Sequence, residues 1–376
     1  LLQDILTSLN FPKTMRWADY DFRFVRAIRW MVALFGDDVI PVEITGVKSG
    51  KLSRGHRFLR PALVEEAKAI ESLDDAKELL EKAVSAVKNT VTSAINKTAG
   101  VVEIPCAEAY EQVLMDNFVM VDQDARRELI RQQVIDLAVE EGGHAEIDED
   151  LLEEVNYLVE WPTALCGKFE DKFLTLPKEC IITPMREHQR YFPVLKEDGS
   201  LLNKFITVRN GGKEHLEVVA HGNERVLRAR LADAEFFFNE DRKQPLEARL
   251  AKLTTVSFQE GLGNMNDKSQ RLVKAADMIA FGLNSKVDKE KLARTALLCK
   301  TDLVTGMVVE FTELQGVMGR EYALLDGEAP EVAKGIFEHY MPRFAGDELP
   351  ATDIGRIVGI ADKLDNIVAT FSRGLA

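Results

Sequence analysis

Gly222-Asn223-Glu224-Arg225-Val226-Leu227-Arg228-Ala229-Arg230-Leu231-Ala232-Asp233-Ala234-Glu235-Phe236-Phe237-Phe238 is the stretch that decides how the chain is read. At 3.6 residues per turn, Leu227, Leu231, Ala234 and Phe238 fall on one stripe, the spacing of a helix that turns one face to a core. Arg225, Arg228, Glu235 and Asn239 fall roughly opposite, and Glu224 and Arg228 stand i,i+4 in the favourable order. Three consecutive phenylalanines cannot share that stripe, because each step turns the helix by about 100°. Phe236 therefore points nearly away from Phe238. Either the helix is buried on two sides within its own chain, or Phe236 and the arginines face something outside it.

Working outward, the segment before this helix reads as mixed and the segment after it as helical. Phe11 to Trp17 is a Pro-containing loop, and Phe22 to Trp30 leads into the apolar run Met31 to Phe35. Val39 to Ile44 is β-rich, Gly46 and Gly50 punctuate turns, and Arg54-Gly55-His56-Arg57-Phe58 makes a tight basic corner. Three cations near one glycine suit a phosphate; a solvated hairpin end has the same composition. From Pro61 to Gly100 the pattern becomes helical. Ser72 with Asp75 reads as a capping box, and Ala76, Leu80, Ala83, Val87, Val91 and Ile95 continue one stripe. The helical excursion extends over 62–155, with a break near Asp122 and an acidic run, Glu146 to Glu154.

Past Trp161 the period shortens, predicting strands over 168–176, 180–185 and 191–195. Asp198-Gly199 is a hairpin turn with Phe205 to Val208 as its return strand. Arg186-Glu187-His188-Gln189-Arg190-Tyr191-Phe192-Pro193 interleaves basic and aromatic residues, which suits stacking on nucleotides or gripping phosphates; a strand edge would alternate in much the same way. After Pro245 the chain reads as helix throughout: 246–253, 267–283, 289–309, 330–340 and 353–371. The fold class is α+β, with a mixed domain over 1–250 and an all-helical domain over 251–376.

Composition narrows the function. A formal charge of −14 argues against holding nucleic acid through a global basic field, so any such contact must be a local patch. No apolar run is long enough to span a bilayer and no signal segment opens the chain, so no membrane partner and a cytoplasmic location are expected. The four cysteines, at 106, 166, 180 and 299, show no C-x-x-C spacing. No P-loop, H-E-x-x-H, G-x-S-x-G or EF-hand pattern is present. Gly261-Leu262-Gly263 lacks the strand and acidic partner of a dinucleotide fingerprint. The six histidines lack a neighbouring nucleophile or a ligand spacing. The chain begins Leu1-Leu2-Gln3-Asp4 and stops at Ala376 just after an apolar helical run, which reads as a piece of a longer polypeptide.

Six ordered motifs spread over the chain resemble the β subunit of bacterial tetrameric glycyl-tRNA synthetase. They are Phe11 to Trp17, Arg54 to Phe58, Glu187 to Val194, Gly222 to Phe238, Glu313-Leu314-Gln315-Gly316-Val317-Met318-Gly319, and Ile360-Ala361-Asp362-Lys363-Leu364-Asp365. The resemblance implies a division of labour. The α subunit would carry the class II adenylation core, using ATP and Mg, while this chain would bind no cofactor and would position tRNA(Gly) within an α2β2 assembly. It also implies a mixed domain of the B3/B4 editing type followed by a helical domain of the HD type.

The HD pattern departs from a working one. No His is directly followed by Asp, and Cys299-Lys300-Thr301-Asp302 offers a lysine where an imidazole would bind a metal. Asp362 and Asp365 remain, but two carboxylates do not make that site, so the domain reads as a degenerate HD scaffold used for binding. No catalytic residue and no metal ligand are therefore expected here. Under this resemblance Arg54, Arg57, Arg186, Arg190, Arg225 and Arg228 are the candidate tRNA contacts, and Phe236 the candidate anchor on a partner chain. The alternatives are a stand-alone tRNA-binding or editing module, and an HD-type metal phosphohydrolase.

Overall fold

The computed structural model describes residues 1–59 and 100–374. The expected stripe from Ala76 to Ile95, with its capping box, lies outside the described residues. By their contacts the residues fall into two compact units, one of Leu1–Glu141, Ile147–Cys166 and Ile206–Leu216, the other of Gly142–Glu146, Gly167–Phe205 and Glu217–Ala376.

In the first unit, helix α1 (Leu2–Ser8) precedes a set of short strands: β1 (Met31–Val32), β2 (Leu34–Phe35), β3 (Asp38–Val39), β4 (Glu43–Ile44), β5 (Val47–Gly50), β6 (Leu52–Arg54) and β7 (Val101–Glu103). β5 pairs parallel to β1 and antiparallel to β4, while β2 with β3 and β6 with β7 form antiparallel ribbons. Thr45 and Gly46 both have positive φ, which gives the β4–β5 hairpin its tight turn. Helix α2 (Tyr110–Met115) is followed by α3 (Gln123–Glu140) and α4 (Glu149–Leu158). The break expected near Asp122 is the α3 N-cap, whose carboxylate accepts from the Asp124 and Ala125 amides. Asp148 caps α4 in the same way. Arg126 is buried between these helices and donates to the Asn156 backbone and side chain at 3.1 Å, so its charge is spent on joining the pair.

A four-stranded sheet has the order β8 (His144–Ala145), β10 (Phe192–Leu195), β11 (Leu201–Asn210), β9 (Pro162–Lys168). The predicted hairpin joins β10 to β11. Gly199 sits at φ +77°, and the Asp198 carboxylate accepts from the Ser200 amide at 2.9 Å. The strands expected over 168–176 and 180–185 are not strands. β9 ends at Lys168, Asp171–Thr175 is a 3-10 turn, and α5 (Lys178–Thr183) runs into a π-turn over Pro184–His188. Pro177 ahead of Lys178 and Glu179 is a helix-start signature, and an apolar run as short as Cys180–Ile182 has no period of its own to choose strand over helix.

Helix α6 (Leu216–Asp241) buries Leu227, Leu231, Ala234, Phe238 and Asp241, the stripe read from the sequence with one further turn. It shares one core with α7 (Met265–Gly282), α8 (Lys289–Leu298), α9 (Gly306–Glu310), α10 (Val317–Leu325), α11 (Pro330–Glu338) and α12 (Asp353–Ser372). The single helix expected over 289–309 is interrupted, because Thr305 turns extended and re-caps α9 with its hydroxyl. No helix among the described residues is long and apolar enough to cross a membrane.

Candidate functional site

The basic corner after β6 is built by the two residues between its arginines. Gly55 lies against Asn117, where an added Cβ would come within 2.8 Å of the Asn117 Cβ, so a side chain there would push the corner open. His56 is 1% exposed. Its Nδ1 accepts from the Phe58 and Leu59 amides at 3.2 and 3.1 Å, which puts the proton on Nε2, and Nε2 lies 3.1 Å from Asn210 Oδ1. The same Asn210 oxygen accepts from the Glu160 and Trp161 amides at 3.0 Å. The buried imidazole thus fixes the turn and leaves Arg54 and Arg57 exposed on either side of it. Each guanidinium lies over an exposed aromatic ring, Arg54 5.4 Å from the Trp30 centroid and Arg57 5.4 Å from that of Phe58.

Arg186, Arg190, Arg225 and Arg228 belong to the other unit. Arg186 lines a cleft of about 580 Å³ that also presents Lys178, Arg343, Glu179, Glu187 and Glu313, so cations and carboxylates face one another there. Arg190 stands at φ +59° and donates to the Glu187 carbonyl. The aromatics beside it belong to the core: Tyr191 is 3% exposed and Phe192 fully buried. Tyr191 stacks on Phe205 with centroids 4.6 Å apart and donates to Asn223 Oδ1 at 2.8 Å. Stacking of nucleotides on these two rings is therefore excluded: the basic half of the motif lies on the π-turn, and its aromatic half enters the core where β10 begins. On α6, Arg225 is exposed. Arg228 pairs with Glu170 at 2.5 Å, while Glu224 accepts from the Lys168 amide at 3.0 Å, so the i,i+4 partners turn to the end of β9 instead. Phe236 is 58% exposed and Phe238 only 6%.

A second polar cluster, buried around Lys268, Lys300 and Asp362 and reaching the surface at Arg271, lies among α7, α11, α12 and the turn after α8. The Lys300 ammonium lies 2.9 Å from Asp362 Oδ2 and 2.8 Å from His339 Nε2, and 4.1 Å from the Tyr340 ring centroid. Lys268 approaches Asp362 Oδ1 at 2.9 Å and Asp365 at 3.0 Å, and Arg271 adds a second cation to Asp365 at 2.7 Å. Burial works against ionising Asp362, yet the Lys300 and Lys268 ammonium groups outweigh it and hold the carboxyl far below its usual range. Burial and the Lys300 charge push the His339 ring well below ordinary histidine. Neutral His339 donates from Nδ1 to the Ile336 carbonyl at 2.6 Å and turns its Nε2 lone pair to Lys300. Two donors that would suit a metal thus converge on an ammonium group, and this donor set does not fit a divalent cation. Among the described residues no group of three or more His, Cys, Asp and Glu could hold a metal ion.

Asp302 lies nearby, completely buried, with Oδ2 accepting from the Gly316 amide at 2.6 Å; burial raises its carboxyl to about 6. The sequence alone singles out Lys300, Asp302, Asp362 and Asp365 but not Lys268 or His339. The signal for these two is positional. Lys268 stands with Met265, Leu272 and Ala276 on the buried face of α7, and His339 is the buried C-cap of α11, three residues after Ile336.

Comparison with known proteins gives one consistent family. The family model described as "Glycyl-tRNA synthetase beta subunit" matches residues 1–99 and 76–376. Relatives named glycine–tRNA ligase beta subunit include that of Desulforamulus reducens, 48% identical over 99% of this chain and 48% of its own length. That of Moorella thermoacetica is 48% identical over the whole chain and 49% of its own length, and that of Bacillus subtilis 44% identical over the whole chain and 50% of its own. The chain spans about half the length of the curated relatives it matches.

Proposed function

From the premise that the chain belongs to the glycyl-tRNA synthetase beta subunit family, we propose that it is the part of a glycine–tRNA ligase β subunit that holds tRNA(Gly) while a partner subunit performs the chemistry. The partner α subunit would carry the class II core, bind glycine, ATP and Mg, and assemble with this chain as α2β2 in the cytoplasm. Rate enhancement contributed by this chain then comes from positioning, by fixing the acceptor end over a reacting centre on another subunit. The observation that carries the reading, within a chain of this family, is the rigid corner at His56 with Arg54 and Arg57 exposed on either side. An acidic protein that holds a polyanion needs such local concentrations of cations. Arg186, Arg190, Arg225 and Arg228 are further tRNA contacts in this reading, and Phe236 is an anchor for the α subunit.

The same reading divides the chain near residue 250 into a mixed domain of B3/B4 type and a helical domain of HD type. The ammonium of Lys300 between Asp362 and His339 supports an HD scaffold kept for binding rather than hydrolysis. The test uses the complete β chain and the α subunit, assayed separately and mixed. Glycine-dependent pyrophosphate exchange is expected to require α, and glycyl-tRNA formation to require both. Pyrophosphate exchange by the β chain alone would refute the division of labour.

A further inference from the structure

Beside the basic corner lies a cavity of about 380 Å³ lined by Trp30, Val32, Leu34, Ser53, Ala107 and Tyr110. Trp30 is 46% and Tyr110 37% exposed, and the Arg54 guanidinium stands 5.4 Å from the Trp30 ring centroid. The stretch leading into and out of this wall is basic within an acidic chain. Residues 22–58 hold seven Lys and Arg against three Asp and Glu, whereas the whole chain carries −14. Arg23, Arg26 and Arg29, on the segment that enters β1, are exposed.

We propose that this cavity receives a single unpaired RNA base, stacked on Trp30, while Arg54 and the neighbouring cations take the flanking phosphates. The inference rests on the proposed tRNA-binding role and names what that surface reads. An open recess of this size takes a small planar group and not a duplex. Its walls are aromatic and aliphatic with two hydroxyl-bearing residues, Ser53 and Tyr110, and every base has a π-face that such walls accept. A paired base offers no free face, so the site selects unstacked nucleotides at a loop or an end. The excess of cations favours a polyanion over an apolar side chain of a partner protein as the occupant.

The experiment uses the complete β chain with its α subunit and a single-stranded oligoribonucleotide carrying one 2-aminopurine, alone or annealed into a duplex. Binding should quench the single strand and leave the emission of the duplex, already low from base stacking, unchanged. Trp30→Ala should abolish the quench and weaken single-strand affinity roughly 5- to 150-fold, the range for loss of one base–aromatic stack. Trp30→Phe should keep most of both. Because no phosphate contact is lost, Trp30→Ala should leave the salt dependence alone, whereas Arg54→Ala should reduce its slope by about one. Should Trp30→Ala fail to fold, photocrosslinking of the wild-type complex with 5-iodouridine RNA decides, with adducts expected at Trp30 or Tyr110. Adducts only elsewhere would overturn the proposal. Unchanged single-strand affinity in Trp30→Ala, with binding weakened in Arg54→Ala, would overturn it while leaving the tRNA-binding role intact. Loss of assembly with α at unchanged RNA affinity would reassign the cavity to a protein contact. If Arg54→Ala and Arg57→Ala also leave tRNA binding untouched, the underlying role fails with it.

Discussion

Lys300 is held by a carboxylate, an imidazole and an aromatic face at once, and the cost of removing it follows from what would be left behind. Lys300→Met leaves Asp362 buried with Lys268 as its remaining cation and turns the His339 lone pair to a methyl group. Breaking a buried pair from one side costs about 3–5 kcal/mol, and the urea midpoint of the full chain should fall accordingly; a change below about 1 kcal/mol would mean that the pair adds little. Asp302 gives a pH signature. Its folded carboxyl titrates near 6 because of burial, against an ordinary 3.8. The folded state therefore keeps a proton that the unfolded state has released between pH 4 and 6, and stability from this group falls as pH rises through that window. Asp302→Asn keeps the acceptor for the Gly316 amide and cannot ionise. Its stability relative to wild type should thus rise from pH 4 to pH 7 by up to about 3 kcal/mol. A difference that stays flat with pH would show that Asp302 is not penalised. Elemental analysis should find no stoichiometric transition metal in the purified chain, and one tightly held metal per chain lost in Asp302→Asn would contradict the ammonium-filled reading.

At the scale of elements, helix α6 is the most legible part of the chain, because a core stripe of Leu227, Leu231, Ala234 and Phe238 can be read from spacing alone. The α3 cap at Asp122 and the Asp198-Gly199 hairpin are legible for the same reason, each being a local signal with a local cause. What spacing does not supply is the partner across the fold. Lys268 meets Asp362 over more than ninety residues of sequence, and nothing near either position announces the other. Tyr191 and Phe192 read as a nucleotide platform because aromatics next to basic residues have the same sequence whether the rings enter the core or stay on the surface. Phe236 and Phe238, two positions apart, predict separable outcomes. Phe238→Ala should cost about 3–5 kcal/mol as a core truncation. Phe236→Ala, at a position 58% exposed, should change stability by less than about 1 kcal/mol and should lower the affinity of the chain for the α subunit, measured by sedimentation. Unimpaired assembly would remove Phe236 as an anchor. The Arg228–Glu170 pair is exposed, so Arg228→Ala should cost at most about 1 kcal/mol, leaving any loss of tRNA binding attributable to the charge itself.

For the molecule as a whole, a chain of charge −14 that is proposed to hold a polyanion must reconcile its charge with that ligand. In the proposed reading it does so through a corner whose shape is set by a buried histidine and whose charge is presented outward, beside a cavity suited to an unstacked base. Ion release ties such contacts to salt, and about one unit of slope is expected per phosphate neutralised. The most direct measurement is therefore tRNA(Gly) binding by the complete α and β assembly carrying Arg54→Ala and Arg57→Ala, followed across salt concentration, with glycine-dependent pyrophosphate exchange measured on the same preparation. Binding should weaken, its slope should fall by about two, and exchange should stay nearly unchanged. Affinity and slope equal to wild type would contradict a tRNA-holding role for this corner.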